Sequence, residues 1–390
     1  MLSAATSPPR LITLIFLTGL STLSLNMFLP SLVNIAENFE TDYAIVSLSI
    51  AGYLAVTAIL QIMIGSLSDR FGRRPVLLAA LFIFSIASLG CLLAENIWVF
   101  LFFRFMQGAI IAGSALSPAV VRDMMPAKQA ASILGYIAMA MAIAPMLGPM
   151  VDELFGWRSS FLAYVVIGLT VFTLAWLDLG ETNKMPSKSF GRQVKAYPAL
   201  LRSSRFWGYA LCTAFSTGAF YAFLAGAPLV TRMLFNMSAG TLGIYLGSIT
   251  GGFFLGSFIA ARFSKNYSLA TMMLAGRIIA CSGLLLGLAL LALGIVHEFT
   301  LFGATIFVGI GNGVTMPSSN AGAMSVRADL AGSASGPAGA LTVGGGAILT
   351  GVSGVIVTEN TAAMGLLWMM FGASFLGLLC AVWVLFLDRE

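Results

Sequence analysis

Charge is scarce in this sequence. Only 9% of its 390 residues are Asp, Glu, Lys or Arg, where a soluble domain carries about 25% to keep its surface wet. The chain cannot cover itself with polar side chains, so its solvent is lipid. Acidic residues are the scarcer sign, 15 against 20 basic ones, and none falls near the middle of an apolar stretch. The net charge of +5 does not point to nucleic acid, because the basic residues are scattered through short connections with no aromatic-basic platform. The four cysteines, Cys91, Cys212, Cys281 and Cys380, lie far apart inside apolar segments without metal or redox spacing. They read as small buried hydrophobes. The one histidine, His297, stands beside Glu298 in a short connection and reads as a surface residue. No P-loop-type nucleotide motif occurs, and no cluster of nucleophile, base and acid suggests an enzyme. No cofactor or metal is expected.

What the chain has instead is hydrocarbon: 59% hydrophobic residues and a mean hydropathy of +0.96. A bilayer core of about 30 Å takes about 20 helical residues per crossing. Apolar stretches of that length predict twelve spans, at 11–34, 43–66, 75–94, 98–121, 131–152, 158–179, 207–231, 240–262, 269–295, 299–318, 331–357 and 362–387. The expected fold is all-α, with twelve transmembrane helices in two pseudo-symmetric six-helix bundles. The expected divisions are 1–179, a linker at 180–206, and 207–390. Arg10 followed by the run from Leu11 resembles the start of a signal peptide. No small-x-small cleavage site follows, so a retained first helix is expected.

The basic residues check this count. With the N-terminus inside, sixteen of the twenty fall in cytoplasmic connections and tails, Arg70, Arg73, Arg74 and the six between 184 and 205 among them. Only Arg158 and Arg232 lie outside, and Arg104 and Arg277 lie within spans. The positive-inside rule therefore predicts both termini in the cytoplasm. In the linker, Lys184, Lys188, Arg192 and Lys195 recur at helical spacing, which suggests either an amphipathic helix on the inner leaflet or a basic tether.

A faint internal repeat supports two halves. Gly65-Ser66-Leu67 with Arg70-Phe71 recurs as Gly256-Ser257-Phe258 with Arg262-Phe263, each between the second and third spans of its half. The turn Gly65-Ser66-Leu67-Ser68-Asp69-Arg70-Phe71-Gly72-Arg73-Arg74-Pro75-Val76 resembles the signature loop of the major facilitator superfamily. Leu101 to Gly113, with Arg104, Gln107 and Gly108, is similar to the fourth-helix signature of that superfamily's drug:proton antiporters. Ala144-Pro145-Met146-Leu147-Gly148-Pro149 resembles their fifth-helix antiporter signature. The run from Gly311-Asn312-Gly313 to Gly336 is similar to the Bcr/CflA branch of multidrug exporters.

The resemblance implies a proton-driven exporter of small molecules in a bacterial inner membrane, a monomer with protons and lipid as its other partners. It implies a cytoplasmic latch in the turn (Gly65, Asp69, Arg70, Gly72, Arg73) and a role for Arg104 in proton coupling or substrate contact. It also implies a kinked, leak-resistant outer end at Pro145, Gly148 and Pro149, beside Asp152. Residues read as lining the cavity are Asn26, Tyr53, Gln61, Arg104, Gln107, Tyr136, Phe215, Tyr221, Tyr245 and Asn312. Physically, Gly72 permits positive φ, Asp69 can pair with Arg70 or Arg73, and a cation at the depth of Arg104 costs about 2.5–3.5 kcal/mol unless it is paired or hydrated.

One departure matters. Relatives commonly carry Asp-Met-Tyr-Leu-Pro in the first span, and this chain has Asn26-Met27-Phe28-Leu29-Pro30. With the usual acid absent and cations at 104 and 277, the cargo expected is neutral, of the phenicol type, or anionic, such as a siderophore. An importer or uniporter of the same fold, and more remotely a channel, remain as alternatives.

Overall fold

A computed structural model describes residues 10–124, 156–183, 198, 200–263, 266–326, 331–357 and 362–388. The first span is α1 (Leu11–Asn26), a 3-10 turn (Leu29–Ser31) and α2 (Leu32–Asn38). Then follow α3 (Tyr43–Phe71), α4 (Arg73–Leu93), α5 (Ile97–Met106) continued through a 3-10 turn into α6 (Ile111–Met124), and α7 (Trp157–Asp178). The second half holds α8 (Ser204–Phe235), α9 (Ala239–Phe263), α10 (Leu269–Ala292), α11 (Glu298–Ser325), α12 (Ala331–Ile356) and α13 (Ala362–Leu387). Ten of the described helices are long and apolar enough to cross a membrane. The protein is a multi-pass membrane protein.

The described spans start and stop close to where hydropathy places them, and capping residues account for several of the starts. Asn96, Ser203 and Ser268 each accept a hydrogen bond from a backbone N–H in the first turn of the helix they precede, pairing a donor that the helix leaves free. Two expectations need correction. The first span is not a single α-helix: α1 ends at Asn26, and the chain passes through the 3-10 turn Leu29–Ser31, which contains Pro30, before α2. Span ten runs on past Pro317 to Ser325, since small residues continue the helix beyond the proline. The predicted fifth span, and linker residues 184–197, lie outside the described residues.

Matching acids anchor the ends of both halves, a symmetry the sequence reading did not find. At the end of α7, Asp178 Oδ2 accepts from the Arg10 backbone N–H (2.7 Å) and the Thr13 hydroxyl (2.6 Å), so it caps α1. At the end of α13, Asp388 pairs with Arg205 (2.5 Å) and accepts from the Tyr209 hydroxyl (3.0 Å), holding the start of α8. In each half the last helix ties down the first through an aspartate placed near a helix N-terminus, where a negative charge is stabilised.

The two halves meet along α3 and α12. A row of glycines on α12 faces α3: Gly339 against Gln61, Gly344 against Ala58, Gly351 against Ala51 and Gly354 against Ser47. Small residues let two backbones approach and gain van der Waals contact where lipid supplies no hydrophobic drive. Toward the face opposite the basic turn, the Tyr43 hydroxyl donates to the Ala225 carbonyl (2.5 Å). There α2 and the 3-10 turn before it also touch α8.

Candidate functional site

Arg104 is wholly buried at mid-depth in the first half. Its Nε donates to the Ser49 carbonyl (3.2 Å), Nη1 to Ser24 Oγ (3.3 Å) and Gln107 Oε1 (2.5 Å), and Nη2 to the Ser24 carbonyl (2.7 Å). The rings of Phe28 and Tyr53 each stand 4.3 Å from the guanidinium carbon. Gln107 passes the chain on, its amide donating to Ser88 Oγ at 2.7 Å. Among the described residues no carboxylate takes part. Hydrogen bonds from a charged donor contribute about 1.5–3 kcal/mol each, and each ring adds about 0.5–2 kcal/mol. Four such bonds and two rings outweigh the insertion cost. Among the described residues, the guanidinium is held by neutral acceptors and ring faces.

Local sequence explains the assembly. The 3-10 turn Gln107–Ile110 breaks the α5 register and leaves Gln107 on the same side as Arg104. Asn26 stands at the end of α1, its side chain donating to the Thr22 carbonyl (2.8 Å) while Oδ1 is buried without a partner among the described residues. Tyr53 comes from α3, its ring over the guanidinium, and Tyr221 comes from α8. The Tyr221 ring packs over Gly346, where an added Cβ would lie 2.2 Å from it.

The remaining expected lining residues disperse. Gln61 sits farther along α3, at the seam with Gly339. Asn312 belongs to a second buried polar cluster inside the other half. There Arg277 Nη2 donates to Asn312 Oδ1 (2.7 Å), Arg277 Nε donates to Thr315 Oγ1 (3.0 Å), and the Asn312 amide donates to the Ser216 carbonyl (3.1 Å). Arg277 is thus buried rather than reaching for a headgroup. Phe215 lines an apolar groove of about 600 Å³ with Ile59, Ile62, Pro337 and Leu341. Tyr245 donates to Glu298 Oε2 (2.6 Å) and stacks on Phe302, at the end of the bundle away from the basic turn. Tyr136, Pro145, Gly148, Pro149 and Asp152 lie outside the described residues.

The basic turn closes on the end of α7. Asp69 pairs with Arg73 at 2.9 Å. Gly72 has φ +99°, and a Cβ there would lie 2.2 Å from the Glu181 carboxylate. That carboxylate accepts from the backbone N–H groups of Arg73 (3.0 Å) and Arg74 (3.3 Å), capping α4. The Asn183 amide donates to the Asp69 carbonyl (2.9 Å). Arg70 is exposed beside Phe71, and nothing described lies within 4 Å of a Cβ placed on Gly65. The sequence reading missed Glu181 and Asn183, although an acid two residues past a span and beside a basic turn is a readable sign of a cap. It also missed Ser24, Ser49 and Ser88, for which no sign was available.

Two helical bundles meeting on a glycine row, with a cation buried in each, define a membrane transporter built from repeated halves. The Major Facilitator Superfamily profile matches residues 14–351, and the chain belongs to that superfamily. It is 31% identical over 379 residues to the uncharacterized MFS-type transporter YdgK of Bacillus subtilis, covering 93% of this chain and 92% of that one. It is 26% identical to multidrug resistance protein D of Escherichia coli, covering 93% and 92%. Its similarity to a chloramphenicol resistance protein of Pseudomonas aeruginosa, 31% identical, spans 54% of this chain and 51% of that one. Among solved structures, a D-xylose-proton symporter superposes with a TM-score of 0.74 at 15% identity, covering 96% of each chain.

Proposed function

We propose that this transporter is a proton-driven exporter of small amphipathic compounds that are neutral or anionic, with phenicol-type drugs as the first candidates. Residues 1–179 and 207–390 serve as the two rocking bodies, and the polar cluster of Asn26, Tyr53, Arg104, Gln107 and Tyr221 lies along the pathway between them. The chain works as a monomer in a bacterial inner membrane with both termini and the Arg70–Arg74 turn in the cytoplasm. The latch is then the Asp69–Arg73 pair with its Glu181 cap, on the cytoplasmic side.

One observation carries the substrate class. Among the described residues, the two charges buried at depth, Arg104 and Arg277, are positive, while every acid described stands at a helix end or in a turn. A permanent cation entering this site meets no carboxylate among the described residues, and desolvating it there is costly. A neutral molecule, or one carrying a carboxylate or phenolate, meets no such penalty. The export direction draws on the similarity to the multidrug and chloramphenicol resistance proteins. The substitution of Asn26 for an acid favours a second reading, a uniporter of the same fold.

The test is uptake by inverted membrane vesicles energised with a proton gradient. Chloramphenicol is expected to accumulate and a protonophore to abolish it, while tetraphenylphosphonium is not transported. Strong tetraphenylphosphonium transport without chloramphenicol transport would defeat the charge argument. Protonophore-insensitive equilibration of chloramphenicol would support the uniporter.

A further inference from the structure

The apolar groove beside Phe215 lies on the seam between the halves. Its floor is a small-residue face of α12, formed by Pro337, Ala340, Gly344 and Gly345, and one wall is Ile59 and Ile62 of α3. The floor is narrow: a Cβ on Gly344 would stand 3.8 Å from Ala58 of α3, and one on Gly345 would stand 3.2 Å from Ala214 of α8. At the rim, Ile59 is 60% exposed and Ile348 is 70% exposed, as side chains that face lipid are. Every residue lining the groove is apolar. Between Pro337 and Ile348 it follows α12 for about three turns, about 16 Å. That is about the depth of one leaflet in a hydrocarbon core of about 30 Å. A narrow apolar slot of this length fits one extended acyl chain.

The end of the slot nearest the basic turn carries a cation on each side. Arg70 follows Ile59 by about three turns of α3 and returns to within about 20° of the same face. Across from it, Leu201 lines the groove and Arg202 comes next in the chain. Both arginines are exposed, and neither forms an ion pair among the described residues. Their neighbours differ, since Arg73 is taken up by Asp69 and Arg205 by Asp388. Trp207 stands beside this mouth, its indole N–H donating to the Leu201 carbonyl at 2.7 Å, and tryptophan favours the level of the lipid headgroups. An apolar slot that opens between two cations has the polarity of an anionic phospholipid.

We propose that the groove formed by α3, α8 and α12 binds an anionic phospholipid, with an acyl chain over Gly344 and Gly345 and the phosphate between Arg70 and Arg202. Because α3 belongs to the first half and α8 and α12 to the second, one lipid spans the seam. With the basic turn in the cytoplasm, that lipid comes from the inner leaflet. The choice of leaflet rests on the orientation proposed above, and the binding does not.

The test is quenching of Trp207 by phosphatidylglycerol brominated on its acyl chains, with the full chain in phosphatidylcholine vesicles. The part of the fluorescence that is lost in Trp207→Phe isolates the signal of this residue. Brominated phosphatidylglycerol is expected to bind beside Trp207 at least about fivefold more tightly than brominated phosphatidylcholine. Arg70→Gln and Arg202→Gln should each lower that preference, and the double variant should abolish it. Arg70→Lys with Arg202→Lys should keep it. Arg262→Gln removes an exposed cation at the end of α9, outside the groove, and should leave the preference unchanged. Glycerol 3-phosphate, which has the phosphate without the chain, should not relieve the quenching.

Equal quenching by the two lipids would overturn the proposal, because no headgroup site would remain. An equal loss in Arg262→Gln would overturn it in favour of diffuse charge, and relief by glycerol 3-phosphate in favour of a soluble anion. Should Arg70→Gln fail to fold, Arg202→Gln decides alone, since it lies outside the turn. None of these readings uses transport, so failure of the export reading would leave them standing.

Discussion

The glycine row on α12 makes a graded prediction with its controls built in. An alanine Cβ at 354 would lie 2.1 Å from Ser47 Oγ and 2.9 Å from Ser47 Cβ. Rotating the hydroxyl away breaks its hydrogen bond to the Ala44 carbonyl (2.7 Å), at a cost of about 1 kcal/mol. The Cβ contact cannot be rotated away, so the helices must part by about 0.5 Å, and overpacking of this kind costs about 1–3 kcal/mol. At Gly344 and Gly351 the nearest atoms of α3 would be 3.8 Å and 3.9 Å away, ordinary contacts. Alanine there should be neutral or stabilising by about 0.5–1 kcal/mol, because glycine is the weaker helix former. Ser47 and Gly354 lie toward the face where Tyr43 reaches Ala225, so Gly354→Ala wedges that face open. A penalty of about 2 kcal/mol confined to one conformation changes its population about thirtyfold. Spin labels at Glu37 and Leu234, one from each half at that face, should report a longer distance population in Gly354→Ala. Gly344→Ala and Gly351→Ala should match the parent. If Gly351→Ala shifts the distances as much as Gly354→Ala, or neither shifts them, the close approach at Gly354 does not hold that face shut.

Arg104→Lys keeps the charge but has three N–H groups on a single nitrogen, so at least one of the four hydrogen bonds is lost. With a buried acceptor left unpaired costing about 1–3 kcal/mol, the protein should lose about that much, read as a lower melting temperature in detergent together with lost export. Parental stability and transport in Arg104→Lys would mean that charge alone matters there. Glu181→Gln removes the negative cap of α4 while keeping an acceptor, and should cost about 0.3–1 kcal/mol of helix-end stabilisation. Its melting temperature should fall by a few degrees and recover in Glu181→Asp if the carboxylate reaches. A neutral effect would mean that Asn183 and the Asp69–Arg73 pair hold the turn by themselves.

The fold was open to a reading of the sequence because lipid imposes a strong and simple pattern: length and hydropathy place the spans, and basic residues sort the connections. Gly72 was readable for a similar reason, since a tight turn between two spans forces a backbone that only glycine adopts comfortably. The partners of Arg104 were not readable. Ser24, Ser49 and Ser88 look like any serine in a span, and Ser85 and Ser117 in neighbouring spans simply bond the carbonyl four residues back. What separates Ser24 from these is a contact across 80 residues, which no local pattern encodes. Asn312 and Tyr245 were read as cavity lining on residue type, yet type does not say which wall a side chain faces. One finds Arg277 within its own bundle, and the other finds Glu298 at a helix end.

The same physics accounts for where the acids went. Helix N-termini on the basic face offer unpaired N–H groups and a favourable field, so Asp178 and Glu181 settle there and tie α7 to α1 and α4. Asp388 does the matching task for α13 and α8. A carboxylate placed at mid-depth beside Arg104 would neutralise the one field that this site maintains. With Asn26 rather than an acid at the end of α1, the described partners of the Arg104 guanidinium are neutral oxygens and two ring faces.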